Sequence, residues 1–90
     1  MSTRRILTVS PLTMMWSEEN GEVVVKNLST GRKVYLQGHF SYLWKLINRF
    51  SKFEEIKEEF CKRYDEQILL EDLNSLRKAG LIKIFYCYTK

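Results

Sequence analysis

Residues 71–88 read EDLNSLRKAGLIKIFYCY, and this stretch decides the predicted fold of the whole chain. Leucines spaced three and four residues apart predict a helix over about residues 70–79 with one apolar face. Gly80 is the residue type best suited to end such a helix in a left-handed C-terminal cap, and the apolar run that follows predicts a last β-strand. The leucines expected to face inward are Leu69, Leu73 and Leu76.

Two further helices are predicted ahead of this one. In residues 39–50, HFSYLWKLINRF, the apolar side chains fall at helical spacing and predict a core-facing helix. The following residues SKFE fit a capping box, in which the Ser51 hydroxyl and the Glu54 carboxylate satisfy backbone amides at the start of the next helix. The core positions of the two helices are Phe40, Leu43, Trp44 and Ile47 in the first, and Phe53, Ile56, Phe60 and Tyr64 in the second.

The first half of the chain predicts a three-stranded antiparallel β-meander. Residues 13–27 hold two β-rich runs on either side of Asn20-Gly21, a dipeptide that tolerates the positive φ angles of a type I′ hairpin turn. A second turn at residues 29–32, STGR, leads into residues 33–37, KVYLQ, where apolar and polar side chains alternate. The order of three strands, three helices and a short strand predicts an α+β, winged-helix-like fold, with residues 1–90 as one domain.

Composition limits the classes of function. Ninety residues are enough for one domain, and 44% apolar and 13% aromatic residues exclude a disordered chain. No apolar run approaches the roughly 18 residues of a membrane span, and the N-terminal apolar run is too short for a secretory signal, so we expect a cytoplasmic protein without a membrane partner. Cys61 and Cys87 form no C-x-x-C pair and His39 is the single histidine, so we expect no metal or other cofactor.

The inventory of reactive side chains argues against an enzyme, because no nucleophile, base and orienting group form a recognisable catalytic signature. Both cysteines are expected to be buried structural thiols. His39 is expected to have a capping or exposed role in the first turn of its helix.

The distribution of charge argues against nucleic-acid binding. The net charge is +4, but residues 51–72 hold eight acids against four bases. A DNA-binding protein normally concentrates positive charge on the helices that approach phosphate. Glu71 and Asp72 are expected to face outward near the start of the third helix, where carboxylates stabilise the helix dipole. A small winged-helix DNA-binding regulator is the alternative interpretation.

The third strand of the meander is expected to be an edge strand. Such an edge is either protected by a charge, here Lys33, or available to another chain, through dimerisation or through addition of an extended peptide as a new strand. A groove beside the third helix would then hold the peptide, and the basic cluster of Arg32, Lys33, Arg77 and Lys78 favours an acidic one. The residues expected to contact the peptide are Lys33, Val34, Tyr35, Leu36, Gln37, Leu70, Leu73, Asn74, Leu76 and Arg77.

The sequence from Tyr35 to Ile82 also resembles the PqqD-like domains, which are called RiPP recognition elements. The order and spacing of fifteen positions agree with that family over about half the chain. The matching residues are Leu36, Leu43, Trp44, Leu46, Ile47, Phe53, Glu55, Ile56, Tyr64, Asp72, Leu73, Leu76, Gly80, Leu81 and Ile82.

The resemblance implies a binding module and no catalyst. Domains of this family capture the N-terminal leader of a ribosomally synthesised precursor peptide as an added strand between the third strand and the third helix. They then deliver it to a modifying enzyme or a leader peptidase. A chain of one such domain is similar to the stand-alone kind.

Overall fold

The computed structural model describes residues 3–12, 15–28 and 30–89, with side chains described over residues 5–12, 15–28 and 30–87. The three strands of the meander form one antiparallel sheet, and the first and last strands of the chain pair in a second. The α+β class, the meander, the three helices and the C-terminal strand are confirmed. In chain order the elements are β1 (Thr3–Pro11), β2 (Met15–Glu19), β3 (Glu22–Lys26), β4 (Lys33–Leu36), α1 (His39–Arg49), α2 (Phe53–Phe60), α3 (Glu66–Lys78) and β5 (Ile82–Thr89).

The hairpin between β2 and β3 forms where the sequence predicts it. Asn20 and Gly21 have φ angles of 53° and 82°, and Glu19 pairs directly with Glu22 across the turn. Positive φ at both turn residues is the signature of a type I′ turn, whose twist matches that of the strands. Three residues of the predicted meander, Thr13, Met14 and Ser29, lie outside the described residues.

Strand β1 is the element that the sequence analysis did not predict. It pairs antiparallel with β5 from Thr3 opposite Thr89 to Pro11 opposite Ile82, with a shift of register around Leu7. The C-terminal strand, expected to be short, has eight residues because it has this long partner. The pairing closes the fold by bringing its first and last strands together.

The core lies between the three helices and the inner faces of both sheets. Trp44 is fully buried at its centre, and its ring meets the ring of Trp16 edge to face, with centroids 6.4 Å apart. The buried apolar residues are Val9, Val23, Val25, Leu36, Leu43, Trp44, Leu46, Ile47, Phe53, Ile56, Phe60, Leu69, Leu73, Leu76, Leu81 and Ile82.

None of the helices in the described part of the chain is long and apolar enough to cross a membrane.

Helix α3 ends as predicted, at Gly80, whose φ of 77° lies in the left-handed region. The amide of Gly80 donates to the carbonyl of Arg77 at 3.0 Å, and the amide of Leu81 donates to that of Leu76 at 3.0 Å. These two bonds form a Schellman motif, which provides hydrogen-bond donors for carbonyls that have no partner within the helix. The motif turns the chain directly into β5.

The start of α2 differs from the prediction, because the capping box does not form. The residue before the helix is Lys52, and its side chain makes no cap hydrogen bond. The Ser51 carbonyl accepts a hydrogen bond from the Val9 amide at 2.9 Å, and Glu54 pairs with Arg5. Glu54 is therefore engaged by β1 and not by the Ser51 amide, as a capping box would require.

The two cysteines are exposed, so the prediction of buried thiols is wrong. Cys61 follows the last residue of α2, where Phe60 takes the buried position. Cys87 lies on the outer face of β5, since successive strand residues alternate and Tyr86 takes the inner face.

Two adjacent leucines of α3 test the assignment of the core. Leu69 is fully buried, whereas Leu70 is exposed. We expect Leu69→Ala to lower the free energy of unfolding by about 2–5 kcal/mol, because it leaves a cavity in a close-packed core. Leu70→Ala is the matched control, with an expected loss of about 0.5 kcal/mol or less. Urea unfolding of both variants measures the difference, and equal losses would contradict the assigned core.

Candidate functional site

Strand β4 is an edge of the three-stranded sheet. It pairs with β3 on one side, and among the described residues no strand pairs with its other side. The C-terminal strand, which follows α3 closely, pairs with β1 instead. The backbone groups on the outer side of β4 are therefore open to a further strand.

The hydrogen-bond register determines which backbone groups of β4 face outward. The Asn27 amide donates to the Arg32 carbonyl at 2.8 Å, which fixes this pair as a hydrogen-bonded pair of the hairpin. Bonded and non-bonded pairs alternate in an antiparallel ladder, so Val34 bonds to β3 and Lys33 does not. By the same alternation, Leu36 bonds to β3 and Tyr35 does not. The amides and carbonyls of Lys33 and Tyr35 thus point away from the sheet.

A depression of about 210 Å³ separates β4 from the C-terminal half of α3. We call it the β4–α3 groove. Most of its lining is apolar; Leu36, Leu76 and Leu81 are buried, whereas Tyr35 is 61% exposed at the rim. An extended chain added to β4 would lie beside this groove. Its lining residues are Val34, Tyr35, Leu36, Phe40, Ser75, Leu76, Ala79 and Leu81.

The predicted site residues divide between two surfaces. Lys33, Val34, Tyr35 and Leu36 form the edge strand, Gln37 follows it, and Leu76 lines the groove. The remaining four predicted residues, all on α3, line a different depression on the β5 side of the helix. They are Leu70, Leu73, Asn74 and Arg77.

This second depression has a volume of about 280 Å³, and we call it the α3–β5 groove. The helical period explains the division, since residues four and seven apart share one face of α3, whereas Leu76 and Ala79 lie on another. The four residues of α3 that were expected to face β4 therefore face the second sheet. Besides the four residues of α3, the α3–β5 groove is lined by Ile6, Ile84 and Tyr86.

Four residues of the β4–α3 groove were missed as site residues. Phe40 was assigned to the core, but it is only half-buried. Ser75 and Ala79 are one helical turn apart, and small residues at this spacing leave room beside a helix. That spacing was the available signal. Leu81, the fourth, follows the helix cap, and its position depends on the turn at Gly80.

The outer face of the meander carries positive charge next to the open edge. Lys26 lies directly opposite Lys33 in the register of β3 and β4. Like charges placed opposite each other repel, so a carboxylate nearby would relieve the repulsion. Glu22 is engaged on the same face, because its Oε1 accepts a hydrogen bond from Gln37 Nε2 at 2.6 Å.

Asp72 is buried, which corrects the prediction that it faces outward near the helix start. Helix α3 begins at Glu66, six residues before Asp72, so this carboxylate lies in the middle of the helix. It falls on the same face as Leu69 and Leu76, and Nδ1 of His39 donates a hydrogen bond to its Oδ2 at 2.5 Å. His39 is half-buried and contacts the ring of Tyr64, with centroids 5.7 Å apart.

The His39–Asp72 hydrogen bond joins the start of α1 to the middle of α3. Phe40 follows His39, and Leu76 lies one turn after Asp72, so the bond lies next to two residues of the β4–α3 groove. Burial raises the pKa of the Asp72 carboxyl above its ordinary value, and the hydrogen bond from His39 offsets this effect only in part. Within the described residues no hydroxyl or thiol is hydrogen-bonded to this imidazole.

No group of three or more His, Cys, Asp or Glu side chains in the described part of the chain is arranged to hold a metal ion. Comparison of the chain with protein-family models, with curated proteins and with solved structures gives no match. The resemblance to RiPP recognition elements therefore stays a prediction from the sequence.

Asp72→Asn tests the cost of burying the carboxylate. The pKa of Asp72 in the folded chain lies above the reference value of 3.8, so the native state binds this proton more tightly than the unfolded chain does. The contribution of Asp72 to stability therefore improves as the pH falls through the raised pKa, and it is constant below 3.8. We expect the free energy of unfolding of the wild type, relative to Asp72→Asn, to rise over that interval.

Urea unfolding of both proteins at a series of pH values measures this difference. Glu71 is present in both chains, and repeating the comparison in a His39→Gln background removes the imidazole from it. A wild type that loses stability relative to Asp72→Asn as the pH falls would contradict the account.

Proposed function

We propose that this protein is a cytoplasmic peptide-binding module that captures the leader segment of a ribosomally synthesised precursor peptide. The leader adds as a strand to β4 and lies in the β4–α3 groove. The module binds and carries out no catalysis, and it delivers the leader to a modifying enzyme or a leader peptidase. The observation that carries the proposal is the open edge of β4 beside an apolar groove.

The main chain of β4 supports this mode of binding. The amides and carbonyls of Lys33 and Tyr35 point outward, as an added antiparallel or parallel strand requires. Hydrogen bonds to a backbone do not depend on the side chains of the peptide, so this part of the interaction gives affinity without sequence preference. Each such bond contributes about 0.5–1.5 kcal/mol net.

Side-chain recognition follows from the alternation of the added strand. Residues of the peptide that face inward meet the apolar lining of the β4–α3 groove, including Phe40 and Leu76. Residues that face outward lie near Lys33, and Lys26 is its cross-strand neighbour. A leader with apolar residues at every second position and acidic residues between them therefore fits best.

The Tyr35 amide provides a direct test of strand addition. We expect Tyr35→Pro to weaken leader binding about tenfold, because proline removes an outward amide and interferes with the added strand, while the bonds from β4 to β3 remain. Tyr35→Ala keeps the amide and separates the effect of the backbone from that of the side chain. Titration of the labelled protein with the leader of a precursor encoded beside its gene, followed by NMR, gives the affinities.

Glu18→Pro on β2 is the matched control. The two-residue turn makes Glu19 and Glu22 a bonded pair, so the Glu18 amide also points outward, at the opposite edge of the same sheet. This variant loses only an exposed ion pair with Lys45, which contributes little to stability. Equal affinities of Tyr35→Pro and Tyr35→Ala, or equal losses in Tyr35→Pro and Glu18→Pro, would refute strand addition at β4.

A further inference from the structure

The α3–β5 groove lies in the most basic part of the chain. Residues 1–12 hold two bases and no acid, and residues 73–90 hold four bases and no acid. Residues 13–72, in contrast, hold eleven acids and nine bases. Elements β1, β5 and the second half of α3 come from the two basic segments, and Arg77 of α3 lines the groove itself.

The groove itself combines an aliphatic floor with one oriented cation. Ile6, Leu70, Leu73 and Ile84 provide the floor. The Arg77 guanidinium donates to Asn74 Oδ1 at 3.1 Å, which holds it at the groove. Among the described residues no carboxylate forms an ion pair with Arg77.

We infer that the α3–β5 groove is a second docking site, which binds an acidic segment with aliphatic side chains from a partner protein. A carboxylate of that segment pairs with Arg77, and the aliphatic side chains cover the floor, including Leu70. Arg77 suits this role because its planar group binds a carboxylate through two parallel hydrogen bonds. The net charge of +4 accelerates the encounter with an acidic partner.

The lining of the groove favours a polypeptide over a nucleic acid. Single-stranded nucleic acids bind where several cations follow the backbone and aromatic rings stack on the bases. Here the floor is aliphatic, Arg77 is the cation in the lining, and Tyr86 is its aromatic residue. Aliphatic side chains of a peptide cover such a floor, whereas nucleotide bases find few partners on it.

The α3–β5 groove is separate from the site proposed for the leader. The two grooves lie on different sides of α3 and share no lining residue. One molecule can therefore hold a leader and a partner protein at the same time. This gives the module a physical means of bringing the two together.

The test uses the full chain, labelled with ¹⁵N, and the probe peptide acetyl-Leu-Glu-Pro-Leu-Glu-Pro-Ile-Glu-amide, whose prolines lack the amides that addition as a strand to β4 requires. We expect the probe to shift the amide signals of Leu70, Asn74, Arg77 and Ile84, and to leave those of Lys33 and Tyr35 unchanged. Arg77→Gln and Leu70→Ala should each weaken binding roughly tenfold. Lys26→Gln, which removes an exposed charge from the other sheet, is the matched control and should retain most of the affinity.

Three results with the peptide probe would overturn the inference. These results are the absence of probe binding, chemical shifts that map to β4, and equal weakening of probe binding by Arg77→Gln and by Lys26→Gln. The last result is expected of non-specific attraction. A parallel titration with oligothymidylate distinguishes the other class of ligand. Tighter binding of the oligonucleotide than of the peptide at the same amides, with loss in Arg77→Gln, would also overturn it. The amide spectra of the free variants confirm that each one is folded.

Discussion

The pairing of β1 with β5 is the constraint on which the rest of the structure depends. The C-terminal strand leaves α3 through the Schellman motif at Gly80 and is then available to pair with either sheet. Its pairing with β1 occupies one of its two edges along eight residue pairs, and β4 is not among its described partners. The outer edge of β4 has no strand partner among the described residues, and α3 packs against β5, α1 and α2.

This arrangement gives α3 two different surfaces. On the β4 side, the small residues Ser75 and Ala79 leave a groove next to an unpaired strand. On the β5 side, Arg77 and Asn74 form a polar rim over an aliphatic floor. The His39–Asp72 hydrogen bond fixes α3 against α1 between these surfaces. It also gives the buried Asp72 carboxylate a partner, which offsets the cost of its burial in part.

Local patterns in the sequence were sufficient to predict most of the fold. The Asn20-Gly21 turn, the leucines of α3 and the cap at Gly80 each depend on neighbours within a few residues, and each is confirmed. Strand β1 was missed because its pattern is ambiguous without its partner at the other end of the chain. Asp72 was misplaced because an acid on an apolar face becomes acceptable only through a contact with His39, 33 residues earlier. The side of α3 on which Arg77 lies depends on how the helix packs against β5, α1 and α2, which the spacing of its leucines does not determine.

The central claim is that the outward backbone groups of β4 are completed by a second polypeptide. Hydrogen exchange of single amides measures this directly, in the free protein and with the leader peptide bound. The account predicts that the amides of Lys33 and Tyr35 exchange rapidly in the free protein and become strongly protected on binding, whereas those of Val34 and Leu36 are protected in both states. Unchanged exchange at Lys33 and Tyr35 in a saturated complex would contradict it.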